Sequence, residues 1–181
     1  MSVPLVLVPG LMSDARLFRE QIESLSRDHV VIVAPSASES RIEAIAGSIA
    51  PKLPARFALA GIGFGGMVAM DILRQAGDRV DRLCLMDTNP LADTPAIAAS
   101  LEPLVVRAQA GRLDEVMSEV LGIEMLAAGP QRAGVAARML EMGRDLGRDA
   151  FVRQIRALQR RRDQQGTLRR CRAPALIVCG A

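Results

Sequence analysis

Phe57-Ala58-Leu59-Ala60-Gly61-Ile62-Gly63-Phe64-Gly65-Gly66 is the stretch that decides the fold. It opens on a short apolar run of the kind a parallel strand buried on both faces requires. Met67, Val68, Ala69, Met70, Ile72 and Leu73 follow as a mainly apolar helical stretch. The strand therefore turns into the helix within Gly61 to Gly66. Glycine at 61 and 65 lets that turn be tight, because a Cβ there would collide with the adjoining strand or helix.

Working outward, Leu5-Val6-Leu7-Val8 reads as a strand that ends at Pro9-Gly10-Leu11-Met12, a helix runs from about Asp14 to Leu25, and His29-Val30-Val31-Ile32-Val33 supplies the next strand. Downstream, Leu83-Cys84-Leu85-Met86 forms a strand that exits through Asp87-Thr88-Asn89-Pro90, and Pro174-Ala175-Leu176-Ile177-Val178-Cys179 forms another. The expected strands are 4–8, 29–34, 57–61, 83–87 and 175–179. Between them, from Leu91 to about Gln165, the pattern is helix after helix: Leu101, Leu104, Val105 and Ala108; Leu113, Val116, Met117, Val120 and Leu121; Val135, Met139, Leu140 and Met142; then Phe151, Ile155 and Leu158. Met117, Met125, Met139 and Met142 read as packing in this helical region in preference to the lining of an adaptable pocket. The chain thus divides into 1–90, a helical 91–165, and a return to the core over 166–181.

The turn at 61–65 has the frame of the nucleophile elbow, G-x-S-x-G, with Gly63 where the serine would stand. With Pro9-Gly10-Leu11 in the place of an oxyanion loop, the chain resembles the serine-hydrolase type of the α/β-hydrolase family. The resemblance implies a mainly parallel sheet flanked by helices, with 91–165 as a helical cap. It also implies an activity, hydrolysis of a small, largely apolar ester, thioester or amide through an acyl-enzyme. Carried onto this chain, it makes the N–H groups of Leu11 and Phe64 the oxyanion donors, with Gly61, Gly65 and Gly66 shaping the elbow. Gly63 is the nucleophile position without its oxygen, and Asp87 is a candidate acid, since some members take theirs from the strand after the elbow helix. The family's more usual acid follows the strand matched by 175–179, with the histidine later still, and the sequence stops at Ala181. A C-terminally truncated, catalytically impaired or inactive hydrolase relative is the expectation.

Three other readings fit parts of the sequence. Gly61, Gly63 and Gly66 also spell G-x-G-x-x-G between strand and helix, with Asp87 after the next strand, the spacing of a dinucleotide-binding unit. That pattern leaves the first fifty residues unexplained. An active hydrolase with non-standard residues would need another water-activating group. The only histidine, His29, opens its expected strand and so stands roughly 17 Å from the edge where α/β sites form. Finally, Ala175 to Cys179 is apolar on both faces and can act as an edge strand that pairs with another chain, in a homo-oligomer or with a complementing fragment.

Composition bounds the rest. The chain has 181 residues, 50% of them hydrophobic, enough for a single core with a small appendage. Its three cysteines, Cys84, Cys171 and Cys179, are odd in number and read as reduced core residues of a cytoplasmic protein. No cluster has metal-ligand spacing, and no cofactor is expected. No apolar run reaches the length of a membrane span. Arg153, Arg156, Arg160, Arg161, Arg162, Arg169, Arg170 and Arg172 gather near the end, yet net charge is only +3, Trp and Tyr are absent, and Lys52 is the sole lysine. Without stacking aromatics this argues against nucleic acid and for a solvated helix face. A small apolar molecule remains the expected partner.

Overall fold

The computed structural model describes residues 3–180. Its sheet has the strands β1 (Leu5–Val8), β2 (Val31–Val33), β3 (Phe57–Ile62), β4 (Val80–Met86) and β5 (Ala175–Val178), all parallel, in the order β2-β1-β3-β4-β5. β4 starts three residues before the expected strand. Asp81 and Arg82 hide its beginning in the sequence, but its backbone pairs from Phe57↔Val80 onward.

Alternation along the strands sorts the two faces of the sheet. Val6, Val8, Phe57, Leu59, Leu83 and Leu85 face α2 (Ile42–Ile49) and α3 (Phe64–Ala76), which bring Ile45, Ala46, Val68, Ala69 and Ile72 into one core. Leu7 and Ala60 face the other way, onto Phe18 of a 3₁₀ turn (Ala15–Phe18), with Ile22 of α1 (Arg19–Leu25) beside them. The expected helix from Asp14 is thus split: Asp14 caps the 3₁₀ turn by accepting from the Arg16 N–H, and the α-helix starts at Arg19.

The helical region comprises α4 (Pro95–Ser100), α5 (Glu102–Gln109), α6 (Leu113–Val120), α7 (Arg132–Gln159) and α8 (Gln165–Arg169). The two last apolar stripes of the sequence lie on the two halves of α7, which are separate helices divided at Gly147, whose φ of 81° and ψ of 172° are not helical. Leu104, Val105, Val116, Met117, Phe151 and Ile155 close a second core, which Met12 joins from the loop after β1. Met117 and Met142 are core residues, whereas Met125 is exposed.

The basic cluster is the expected solvated face at Arg160, Arg162, Arg169, Arg170 and Arg172, which are exposed, and departs from it at three others. Arg161 is almost buried in an ion pair with Asp93 at 2.6 Å, Arg156 pairs with Glu102, and Arg153 donates to the Ala37 carbonyl. These arginines tie the helical layer to itself and to the core. The cysteines depart too: none is in the core, Cys84 and Cys171 being half-buried and Cys179 exposed. Among the described residues no helix is long and apolar enough to cross a membrane.

Candidate functional site

The chain leaves β1 toward β2 on one side and returns to β3 on the other, so the carboxyl ends of β1 and β3 flank the topological switch point of the sheet. In open parallel sheets that is where loops diverge and leave a crevice. Pro9-Gly10-Leu11-Met12 exits β1 there, and Gly63 exits β3.

Three glycines let the two exits approach. A Cβ on Gly65 would stand 2.1 Å from the Val8 carbonyl oxygen and 2.4 Å from that of Pro9, so α3 begins pressed against the end of β1. A Cβ on Gly61 would meet the Gly65 carbonyl oxygen at 2.4 Å, and one on Gly66 would meet the Thr88 side chain at 2.6 Å. All three are demanded by packing alone.

Gly63 differs. Its φ of 52° and ψ of −116° lie in a region that L side chains rarely adopt, yet the nearest atom to a Cβ there would be the Asp87 carbonyl oxygen, 3.8 Å away. Space is open, and the conformation suits glycine where an L side chain would be strained. It is held from both sides: the Gly63 N–H donates to the Met86 carbonyl at 2.9 Å, and the Gly63 carbonyl accepts from the Thr88 hydroxyl at 2.7 Å and from the Gly66 N–H at 3.0 Å.

The backbone donors follow from the same geometry. Phe64 opens α3, so its N–H is one of the first-turn groups that no helical carbonyl can reach. Leu11 lies outside any helix or strand, and no partner for its N–H is found among the described residues. The next N–H, of Met12, donates to Gln154 Oε1 of α7 at 2.8 Å, and Met12 has a positive φ of 50°.

Asp87 also has a positive φ, 41°, at the exit of β4. Its N–H donates to Val178, and its Oδ1 accepts from the Gly180 N–H at 2.8 Å. The carboxylate thus fastens the ends of β4 and β5 together at the rim of the elbow. His29 precedes β2 and lines a cavity of about 540 Å³ with Leu5, Ala58 and Arg82, at the amino end of the sheet, away from Gly63. Another cavity, about 640 Å³, is also at that end, lined by Arg56, Arg74, Arg170 and Arg172 among others.

Two residues that sequence reasoning passed over hold this region. Thr88 has a sequence signal only in hindsight: Gly66 is small where the threonine side chain needs room. Gln154 had a better one, a polar residue within the apolar stripe of Phe151, Ile155 and Leu158.

No family model matches the sequence, and no curated protein does. Solved structures do match. The chain is similar to a thermophilic esterase from Thermogutta terrifontis, with a TM-score of 0.87 and 20% identity over 99% of this chain and 72% of that one. It is similar to the enol-lactonase from Burkholderia xenovorans LB400 at a TM-score of 0.80 and 18% identity, over 100% of this chain and 74% of that one. A hydrolase from Pseudomonas aeruginosa PA01 gives 0.80 and 18%, over 99% and 72%. With its parallel strand order, its glycine turn at the end of β3 and these neighbours, the chain has the α/β-hydrolase fold.

Proposed function

We propose that this chain is a hydrolase relative that receives the carbonyl or carboxylate of a small, largely apolar molecule between the N–H groups of Leu11 and Phe64 without forming an acyl-enzyme. The observation that carries the reading is Gly63: the backbone is bent as a nucleophile elbow would bend it, there is room for a side chain, and the residue supplies no oxygen. Covalent catalysis at this position needs a nucleophilic oxygen as well as the base that activates it. Two backbone donors aimed at one oxygen stabilise negative charge on it whether or not that oxygen is reacting. In this reading Asp87 acts as a fastener of strand ends, its Oδ1 accepting from the Gly180 N–H, because an acid has nothing to orient without a histidine and a nucleophile. The esterase and lactonase chemistry of the solved neighbours supports an acyl-type ligand.

The test is a pair of measurements on the purified protein. Hydrolysis of p-nitrophenyl butyrate should be no faster than with a nonspecific protein control, and a serine-directed fluorophosphonate should leave position 63 unlabelled. Titration of the ¹⁵N-labelled protein with butyrate should move the amide resonances of Leu11 and Phe64 together. Turnover above that control would overturn the claim of inactivity, and its loss in Asp87→Ala would give Asp87 a role beyond fastening strand ends. Amide shifts confined to other residues would overturn the assigned site.

A further inference from the structure

We infer that Gln154, on the second half of α7, is the positioning residue that sets the Leu11 donor, so that the helical layer controls the shape of the turn at the end of β1. The inference rests on the reading of Leu11 and Phe64 given above.

Gln154 is fully buried, in a stretch whose other buried members are Ala150, Phe151, Ile155 and Ala157. A primary amide is costly there unless it is bonded, and an apolar residue of similar size would pack without that cost. All its bonds run to the loops after β1 and β2. Oε1 accepts from the Met12 N–H at 2.8 Å. Nε2 donates to the Ser36 carbonyl at 3.2 Å and reaches Ser36 Oγ at 3.4 Å. Ser36 Oγ in turn donates to the Pro9 carbonyl at 3.2 Å. The orientation of the amide is fixed by its partners, since the Met12 N–H can only donate and the Ser36 carbonyl can only accept.

The turn Pro9-Gly10-Leu11-Met12 is therefore held at both ends by one network: at the Pro9 carbonyl through Ser36, and at the Met12 N–H directly. The Leu11 N–H lies between the two anchors and is left unbonded among the described residues. Met12 adopts its left-handed backbone at φ 50°, a conformation that an L residue keeps only where its surroundings enforce it. The hydrogen bond from Gln154 is made to that residue. A donor that must point at a ligand oxygen gains from being fixed beforehand by such a supporting group.

The experiment uses the full ¹⁵N-labelled chain, with butyrate as the probe, in wild type, Gln154→Leu, Gln154→Glu and Ser36→Ala. Gln154→Leu removes every bond, whereas Gln154→Glu, as the neutral acid that full burial favours, keeps the acceptor for Met12 and an O–H donor for the Ser36 carbonyl. In Gln154→Leu the Met12 amide should exchange at least about tenfold faster, and butyrate affinity read at Leu11 should fall about tenfold, the size of one lost hydrogen bond. Gln154→Glu should retain wild-type affinity within about threefold, with Ser36→Ala between the two. Val116→Ala, on α6 in the same helical core, controls for destabilisation alone and should leave the Leu11 response unchanged. If Gln154→Leu does not fold, Gln154→Glu and Ser36→Ala carry the comparison. A folded Gln154→Leu with an unchanged Leu11 response, or an unfaithful Gln154→Glu beside a normal Ser36→Ala, overturns the inference. If wild-type Leu11 and Phe64 ignore butyrate, the functional reading fails. The exchange rate of the Met12 amide then still decides whether Gln154 holds the turn.

Discussion

The elbow at the end of β3 and the last strand β5 are both apolar runs in a parallel sheet, and the structure treats them in opposite ways. At the elbow the backbone is packed and bonded, with space only at Gly63: Gly61 and Gly65 touch neighbouring backbone, Gly66 admits Thr88, and both polar groups of Gly63 are bonded. Among the described residues β5 pairs with β4 along one edge only, and each of its residues is exposed, with Leu176 at 59% and Ile177 at 65%. Similar letters therefore meet different surroundings in the described chain. What differs is the set of neighbours, and substitutions should report that difference with widely separated magnitudes.

The largest effect is expected at Gly65. A methyl group there would stand 2.1 Å from the Val8 carbonyl oxygen, and neither partner can retreat, because both belong to backbone that anchors the sheet. Gly65→Ala should cost about 3 kcal/mol or more, at the upper end of overpacking effects. Against a typical total stability of roughly 5–15 kcal/mol that is a large fraction. Urea titration followed by circular dichroism measures it; a loss below about 1 kcal/mol would mean the strand and helix can separate at little cost.

Gly63→Ser should be milder for a different reason. The side chain has room, so the penalty is that of an L residue held at φ 52°, about 1–3 kcal/mol. The two variants separate crowding from strain at neighbouring positions. A neutral Gly63→Ser in the same titration would show that the turn relaxes, and the comparison with Gly65 would lose its meaning.

These contrasts explain how much of the molecule was legible beforehand. The β3 turn and β1 could be read because buried parallel strands must be apolar throughout, and because a glycine packed against backbone has no substitute. The start of β4 was hidden, since Asp81 and Arg82 give polar letters to residues whose place is fixed by backbone pairing with β3. The two stripes on either side of Gly147 were legible as separate, because the helix breaks there and Ala150, Phe151 and Ile155 pack on against α5 and α6. At the site, Leu11 and Phe64 were placed by resemblance, and the structure brings their loops together through Gly65. Gln154 and Thr88 escaped notice because their roles depend on contacts across 142 and 25 residues, respectively, which no local pattern encodes. Arg161 was misread for a related reason, since it finds Asp93 across 68 residues of chain.

A smaller effect is expected at the 3₁₀ turn that follows the Leu11 loop. The Arg16 guanidinium, hydrogen-bonded to Asp14 at 2.6 Å, is the main cause holding the Asp14 carboxyl below the usual carboxylate range, with the Arg16 N–H adding to it. A carboxyl depressed in the folded state contributes stability above its unfolded pKa of about 3.9, and that contribution is lost as pH falls through the lower folded value. The pair is about one-third exposed, so solvent screening keeps its contribution small. Asp14→Asn keeps a capping oxygen and should lower stability slightly at pH 7, the deficit vanishing once pH has fallen through the lowered folded value. An equal deficit at both ends of that range would assign the effect to altered packing at the turn and not to the charge.

The smallest effect on stability belongs to β5. Ile177 is 65% exposed, so Ile177→Lys removes little apolar packing and adds a charge that water can solvate. The change in unfolding free energy should stay within about 0.5 kcal/mol, the range of ordinary surface substitutions. Its effect on association should be larger than its effect on folding. An exposed apolar strand with an unpaired edge is a template for pairing, and an outward charge is the usual way such edges are blunted. Light scattering across a concentration series should therefore show any self-association of the wild-type chain reduced in Ile177→Lys, while the two melting curves nearly coincide. A loss of several kcal/mol would instead mean that Ile177 is covered when the protein folds in solution, and that β5 is a core strand as β3 is. Unchanged association with unchanged stability would exclude this edge as the surface through which copies meet.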